Sequence, residues 1–178
     1  MSGLPNVVET PRLTLRPCTP HELLTIIAEP EQFERLLGLS ATEGLRAFFA
    51  SPDVSPKWLA SLRDAPGPDP WRHGFFVVHN ESAAVIGSAG FKGPPDSTGT
   101  VEIAYAIVPS FEGRGYGTEA ATALVGFASA SGQVRTVRAH TLPASNASTH
   151  VLLKCGFHHI DTVVDPEDGT VWRWERKA

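Results

Sequence analysis

Hydrophobic and polar residues alternate along several short stretches of the chain, and this alternation predicts β-strands. The pattern is strict over residues 12–16, which read Arg-Leu-Thr-Leu-Arg. Residues 74–79 and 84–91 predict a hairpin that turns at residues 80–82. Later segments predict strands over 100–108, 134–141, 157–164 and 170–175. The last two are joined by Asp168–Gly169, a dipeptide that favours a hairpin turn.

Helical spacing marks the segments between these strands. An amphipathic helix is predicted over 117–130, where apolar residues recur every three or four positions. A second helix is predicted over 146–155, because Gly156 follows it at the position that glycine favours just past a helix end. A short helix is predicted over 20–28. Between residues 30 and 70, helical patches at 43–49 and 57–62 are interrupted by prolines from Pro52 to Pro70. The whole pattern predicts a mixed α/β fold centred on a sheet.

Composition narrows the class of protein. The 178 residues suit one domain spanning 1–178, and 42% hydrophobic with 19% charged residues is typical of a soluble globular protein. Residues 1–11 have neither a basic start nor a sustained apolar run, and no segment is long enough to span a membrane. We therefore expect a cytoplasmic protein without membrane partners. In that reducing compartment Cys18 and Cys155 are expected to be unpaired thiols.

Charge makes a nucleic-acid partner unexpected. The net charge is −4, and no run of Lys or Arg is present. Bulk charge would therefore not attract a phosphate-bearing ligand. An anion site would have to be built locally, from backbone amides and one or two arginines.

One segment offers such a site, where a glycine-rich loop lies between a predicted strand and a predicted helix. Glycines at 113, 115 and 117 let the backbone bend sharply without side chains in the way. The first N–H groups of a helix lack internal partners and favour an anion. A diphosphate is therefore expected on the backbone of Gly113, Arg114, Gly115, Tyr116, Gly117 and Thr118, with Arg114 as an added cation.

Three phosphate-binding designs can be compared with this loop. A P-loop requires Gly-Lys-Ser/Thr, but here Gly117 is followed directly by Thr118. The dinucleotide fingerprint requires a third glycine at position 118, which is again Thr. The segment Arg114-Gly-Tyr-Gly-Thr-Glu-Ala120 instead resembles the Arg/Gln-x-x-Gly-x-Gly/Ala loop of the GNAT superfamily of N-acetyltransferases. Glu112 departs from that pattern, since the family usually has Gln or Arg there, and we expect its carboxylate to face solvent.

The resemblance extends beyond the loop to the RimJ/RimL-type branch. Four segments are similar to that branch's first strand, third strand, fourth strand and second cofactor helix: residues 10–17, 85–91, 101–109 and 146–157. This implies a mostly antiparallel sheet flanked by helices, with a V-shaped opening between the fourth and fifth strands. The resemblance also hints at a homodimer and implies acetyl-CoA as cosubstrate. The pantetheine arm of acetyl-CoA would bond to the backbone near Ile107 and Val108. Asn146 would reach the pantetheine or cap its own helix.

The implied reaction requires a neutral amine to attack the thioester. Deprotonating a lysine-like amine at pH 7 costs roughly 4.6 kcal/mol, whereas an α-amino group costs about 1.4 kcal/mol. Glu102 matches the family's fourth-strand base, although it could also be an exposed strand residue. Tyr105 is the candidate acid, but by strict alternation it should face away from Glu102 unless a bulge lies between them. Ser148 is the alternative acid and a further cofactor contact.

The acceptor is expected to be a protein N-terminus or a small-molecule amine. A catalytically silent acyl-CoA-binding or regulatory module is the alternative, and a nucleotide-binding regulator is a second one. A metal is not expected, because adjacent His158 and His159 would point to opposite faces of a strand. Residues 20–70, which help to form the acceptor site in this family, resemble nothing informative.

Overall fold

The computed structural model describes residues 6–51 and 54–178, which form nine strands and six α-helices. The strands are β1 Val8–Glu9, β2 Leu13–Pro17, β3 Ser40–Ala41, β4 Phe75–His79, β5 Ala84–Phe91, β6 Thr100–Ile107, β7 Thr136–Thr141, β8 His158–Asp165 and β9 Gly169–Lys177. The helices are α1 Pro20–Ala28, α2 Pro30–Leu37, α3 Pro56–Asp64, α4 Pro70–His73, α5 Tyr116–Ala130 and α6 Ala147–Lys154. Short 3₁₀ turns occupy Leu45–Phe48 and Pro109–Phe111.

Eight of these strands form one sheet in the order β1-β2-β4-β5-β6-β7-β9-β8, and β3 pairs with β5 beside this path. All neighbours along the path are antiparallel except β6 and β7. That parallel pair is joined only from Thr100–Glu102 to Thr136–Arg138, and the two strands then separate. Because β1 and β3 are short additions, β6 and β7 correspond to the family's fourth and fifth strands. The predicted fold class, including the V-shaped opening, is confirmed.

Local sequence signals explain where the main helices begin. Thr19 caps α1 and exchanges hydrogen bonds with Glu22, which is the capping-box arrangement. Asn146 caps α6 in the same way, paired with Thr149. The helix α5 buries an apolar stripe against the sheet, and this stripe comprises Ala120, Ala121, Ala123, Leu124, Val125 and Ala128. Hydrophobic burial thus holds α5 against the sheet, where it contacts β2, β5 and β6.

The segment from 30 to 70 differs most from the prediction. The patch expected at 43–49 forms only a 3₁₀ turn, and the helix α2 was not predicted. The physical reason is that Pro30, Pro56 and Pro70 each occupy the first turn of a helix, where proline's missing N–H costs nothing. They begin helices instead of breaking them. Pro52 and residues 1–5, which entered the sequence arguments, lie outside the described residues.

Two further expectations can be compared with the fold. Cys18 and Cys155 are both free and buried, so the prediction of unpaired thiols is confirmed. Across residues 6–51 and 54–178, no helix combines the length and apolar character that crossing a bilayer requires.

Candidate active site

The glycine-rich loop places a candidate anion site at the N-terminus of helix α5. Gly113 and Gly115 have φ values of +72° and +85°, a region that favours glycine. Within the described part of the chain, no hydrogen-bond partner is found for the backbone N–H groups from Gly113 to Thr118. These N–H groups form a row of unsatisfied donors at the positive end of a 15-residue helix. The arrangement suits a diphosphate.

The backbone N–H groups of this loop, and not its side chains, are its main element for binding an anion. Glu112 is exposed, as expected. Arg114 is also exposed, and its guanidinium lies 5.2 Å from the centre of the Phe111 ring. Tyr116 points the other way: its side chain is buried and its hydroxyl lies 2.9 Å from Nε2 of His79. Tyr116 can therefore contribute its N–H to a ligand, but not its phenol.

Arg12 and Glu119 were not identified from the sequence, yet they connect β2 to the loop. Glu119 accepts hydrogen bonds from the Arg12 backbone N–H and from Nε of Arg12, both at 2.8 Å. It also accepts one from the Thr10 hydroxyl at 2.6 Å. Burial opposes the charged form of Glu119, but these hydrogen bonds prevail and lower its pKa. Glu119 therefore stays ionised beside Arg12 at neutral pH.

The separation of β6 from β7 leaves backbone groups of β6 without a neighbouring strand. The N–H of Val108 donates to Ile86, and its carbonyl accepts from Phe111, so both Val108 groups are engaged. In an antiparallel ladder successive residues alternate sides. Because Val108 bonds toward β5, the groups of Tyr105 and Ile107 face the opening. Ile107 is therefore a better placed backbone partner for a pantetheine arm than Val108.

A cavity of about 140 Å³ occupies this opening. It brings together the three side chains that the sequence singled out for catalysis, Glu102, Tyr105 and Ser148. It also adds two residues that were not predicted, Lys92 from the end of β5 and His140 from β7. The cavity is therefore lined from both sides of the V.

Within the cavity, Glu102 makes two polar contacts through one carboxylate oxygen. Its Oε1 lies 2.8 Å from Nδ1 of His140 and 3.0 Å from Nζ of Lys92. Burial opposes the charge of Lys92, but the hydrogen bond and charge of Glu102, with Asp165 and Asp168, raise its pKa. An ionised carboxylate can only accept, so His140 donates through Nδ1 and its Nε2 keeps a lone pair in the neutral ring.

Tyr105 reaches the cavity without the bulge that seemed to be required. The pairing of β5 with β6 is continuous from Gly87–Ile107 to Phe91–Ile103. Tyr105 packs toward α5, and a Cβ placed on Gly117 would lie 3.9 Å from its ring. Tyr105 nevertheless lines the same cavity as Glu102. Because β7 no longer pairs with β6 at this point, the edge of β6 is open, and side chains from both faces of the strand can reach the cavity. Burial raises the pKa of Tyr105, so its hydroxyl stays protonated.

The start of α6 closes the other side of the opening. Asn146 uses Oδ1 to cap the Thr149 N–H at 3.0 Å, so the capping role is present. Ser148 is exposed and lines the cavity.

A much larger groove of about 1100 Å³ adjoins this cavity, and Lys92 lines both. Trp58 and Trp71 supply aromatic walls, and prolines 66, 68 and 70 supply much of the remaining lining. Asp69 is the one carboxylate among the lining residues that the structure describes, and it accepts from the Trp71 N–H and lies 3.4 Å from Arg72. Burial lowers the pKa of His73, with Asp69 opposing the shift. The described lining of the groove is thus mainly apolar, and its carboxylate at Asp69 already has partners.

Comparisons with known proteins agree with this geometry. The profile of the acetyltransferase (GNAT) domain matches residues 12–158. The uncharacterized N-acetyltransferase YjdG of Bacillus subtilis (strain 168) is 32% identical over 110 residues, which is 62% of this chain and 63% of that protein. The match therefore spans a little under two thirds of this relative's length.

Two solved structures share the fold at low sequence identity. The RimL ribosomal-protein acetyltransferase in complex with coenzyme A superimposes with a TM-score of 0.66 at 15% identity, over 97% of this chain and 98% of that one. The aminoglycoside acetyltransferase AAC(6')-Ib in complex with coenzyme A gives 0.61 at 21% identity, over 93% and 94%. At these identities the likeness establishes the fold and not the acceptor. With the profile matching most of its length, the chain belongs to the GNAT family of acetyltransferases.

Proposed function

We propose that this protein transfers the acetyl group of acetyl-CoA to a primary amine by direct attack. The observation that carries the proposal is the position of the free N–H groups of residues 113–118. They lie at the start of α5, where Gly117 is close to the ring of Tyr105, and Tyr105 lines the cavity that contains Glu102 and His140. A diphosphate at the helix start and a thioester in the opening would belong to one extended donor.

The donor would be held mainly by backbone. Its diphosphate would accept hydrogen bonds from the Gly113–Thr118 N–H groups, and Arg114 would add a cation at the surface. The pantetheine arm would then lie along β6 and complete the ladder that β7 leaves open, through Ile107 and Tyr105. Ser148 and the Asn146 amide are the contacts proposed from α6.

The amine would lose its proton to the Glu102–His140 pair. The carboxylate of Glu102 is already engaged, because its Oε1 lies 3.0 Å from Nζ of Lys92 as well as beside His140. His140 has a free ring nitrogen and a carboxylate that orients it, which is the usual arrangement of a histidine base. We therefore assign proton abstraction to His140 and orientation of its ring to Glu102.

The reaction would then run in two steps. The neutral amine nitrogen attacks the thioester carbonyl carbon, and the resulting tetrahedral intermediate collapses as the carbon–sulfur bond breaks. The electron pair leaves with sulfur, and the nitrogen releases its second proton to water to give the neutral amide. The thiolate takes a proton from Tyr105, whose hydroxyl is then restored by a proton from water. Ser148 is the alternative donor. Acid help is modest here, because a thiol with a pKa near 8.5 is a tolerable leaving group.

The groove favours a peptide α-amine as acceptor over a polycationic small amine. A polyamine or aminoglycoside needs several free carboxylates, whereas among the described residues that line the groove Asp69 supplies the only carboxylate, and it is already paired. Lys92, at the entrance to the cavity, would repel an ammonium ion and so favour the neutral amine. An α-amino group is the easier amine to obtain neutral, at about 1.4 kcal/mol compared with roughly 4.6 kcal/mol for a lysine-like amine.

The experiment is a thiol-release assay with acetyl-CoA and matched acceptors. Short peptides with free α-amines, the same peptides blocked at the N-terminus but carrying lysine, and spermidine would be compared. Turnover on free N-termini, confirmed by one added acetyl group in the mass spectrum, supports the proposal. Saturable CoA binding without turnover on any amine would favour the silent-module alternative. ATP or NAD raising the melting temperature as much as acetyl-CoA would favour the nucleotide-binding regulator.

A further inference from the structure

We propose that Arg12 is a positioning residue for the donor, which it serves by fixing the orientation of one peptide plane in the glycine-rich loop. This inference rests on the proposed function, because it assumes that the loop binds the diphosphate of acetyl-CoA. The role is distinct from direct phosphate binding. Arg12 would act through the backbone N–H of Gly115.

The contacts of Arg12 reach three parts of the loop at once. Its Nε donates to Oε2 of Glu119 at 2.8 Å, and its Nη1 donates to the carbonyl of Arg114 at 2.9 Å. Its guanidinium carbon lies 4.4 Å from the centre of the Tyr116 ring. A Cβ placed on Gly115 would lie 3.2 Å from its Nη2. Arg12 therefore lies directly against the backbone that precedes α5.

The bond to the Arg114 carbonyl determines where the next N–H points. In a planar trans peptide the C=O of one residue and the N–H of the next point in opposite directions. The Arg114 carbonyl is held toward Arg12, so the Gly115 N–H is directed away from it. That N–H belongs to the row of donors without partners from Gly113 to Thr118.

The loop needs such a restraint because glycine does not supply one. A peptide plane between flexible residues can rotate at small cost, and Gly115 tolerates both signs of φ. A rotated plane would present the Arg114 carbonyl, a hydrogen-bond acceptor, to the phosphate. Arg12 is itself held in place by Glu119, whose carboxylate also bonds to Thr10 and the Arg12 backbone. Through Arg12 and Glu119, the start of β2 and the first turn of α5 therefore both fix the orientation of one backbone amide in the anion site.

The test compares two acetyl donors in the wild type, Arg12→Ala and Arg12→Lys. Acetyl-CoA carries the diphosphate, whereas S-acetylpantetheine lacks it. For Arg12→Ala we expect KM for acetyl-CoA to rise about 10- to 100-fold with little change in kcat, the range expected for one hydrogen bond to a charged group. Values of kcat/KM for S-acetylpantetheine should stay near the wild type. Arg35→Ala, an exposed arginine on α2, is the matched control.

Each outcome has a distinct meaning. Equal loss with both donors, or a fall in kcat instead of a rise in KM, would overturn the inference in favour of a general structural role. Arg12→Lys keeps the charge but not the planar fork of donors, so we expect KM to stay several-fold above the wild type. Full recovery in Arg12→Lys would show that charge alone matters and would also overturn the inference. A wild type that transfers from neither donor would instead contradict the proposed function.

Discussion

Nδ1 of His140 lies 2.8 Å from Oε1 of Glu102 and joins β7 to β6 just beyond the last residue pair that the two strands share. The hydrogen bond therefore lies at the narrow end of the V, where the two strands begin to separate. Lys92 approaches the same oxygen at 3.0 Å. This places a carboxylate, a histidine and a lysine where the cavity between β6 and β7 meets the larger groove.

If His140 is the base, its loss should affect chemistry and not donor binding. We expect His140→Gln to lower kcat about 100-fold, the usual range for a general base, with KM for acetyl-CoA nearly unchanged. The acidic limb of the kcat/KM profile should vanish in His140→Gln. In Glu102→Gln the acidic limb should persist while kcat falls, because the His140 ring loses the carboxylate that orients it. His158→Gln, an exposed histidine on β8, is the control.

The opposite pattern would assign the base differently. A profile that keeps its acidic limb in His140→Gln and loses it in Glu102→Gln would make Glu102 the proton acceptor. If kcat and the pH dependence are the same in the wild type and Glu102→Gln, then Glu102 takes no part in the proton transfer.

Tyr105 and Ser148 can be separated as proton donors to the departing thiolate. Because burial raises the pKa of Tyr105, its hydroxyl should remain protonated throughout the working range. We expect Tyr105→Phe to lower kcat about tenfold and Ser148→Ala to lower it no more than about threefold, both with little change in KM. Steady-state kinetics with acetyl-CoA would measure this. A larger effect in Ser148→Ala would transfer the role to Ser148.

The sequence predicted those features of the site that depend on neighbouring residues. The loop from Gly113 to Gly117 could be identified because the strand, the glycines and the helix follow one another along the chain. His140 and Glu102 are 38 positions apart, and their contact depends on the register of two strands that diverge. Arg12 and Glu119 are separated by 107 positions, so spacing gave no signal for their pairing.

The segment between residues 30 and 70 was predicted less well for a related reason. The prolines from Pro52 to Pro70 were taken as helix breakers, whereas Pro56 and Pro70 begin helices. Local sequence does not distinguish these two roles when the following turn is short. The groove lined by Trp58 and Trp71 therefore became visible only in the folded chain.

The groove can be tested through Trp58. Its ring lies 6.1 Å from that of His73 on the groove wall, whereas Trp71 also packs against Phe91 and Phe127. We expect Trp58→Ala to raise KM for a peptide acceptor about 5- to 30-fold, as lost aromatic contact implies, and to leave KM for acetyl-CoA unchanged. Phe48→Ala, an exposed aromatic residue outside the groove lining, is the control. Unaltered peptide kinetics in Trp58→Ala would place the acceptor elsewhere.

Gly87 offers a test of how closely β5 and β6 approach each other, and Gly126 in α5 serves as its control. A Cβ on Gly87 would lie 2.2 Å from the carbonyl oxygen of Ala106, which strand backbone cannot relieve easily. We expect Gly87→Ala to lower the free energy of unfolding by about 2 kcal/mol or more. Gly126 is exposed within α5 with nothing near its Cβ, so Gly126→Ala should be neutral or stabilise by up to about 1 kcal/mol. Urea denaturation of both variants would show whether this order holds.

The position at which the donor binds can be measured directly by amide NMR during a titration with coenzyme A. We predict saturable shifts that are largest for the backbone N–H groups of Gly113–Thr118, with further shifts at Tyr105 and Ile107. Shifts centred on another part of the chain, or no saturable change at all, would contradict the assignment of the loop at the start of α5 as the coenzyme A site.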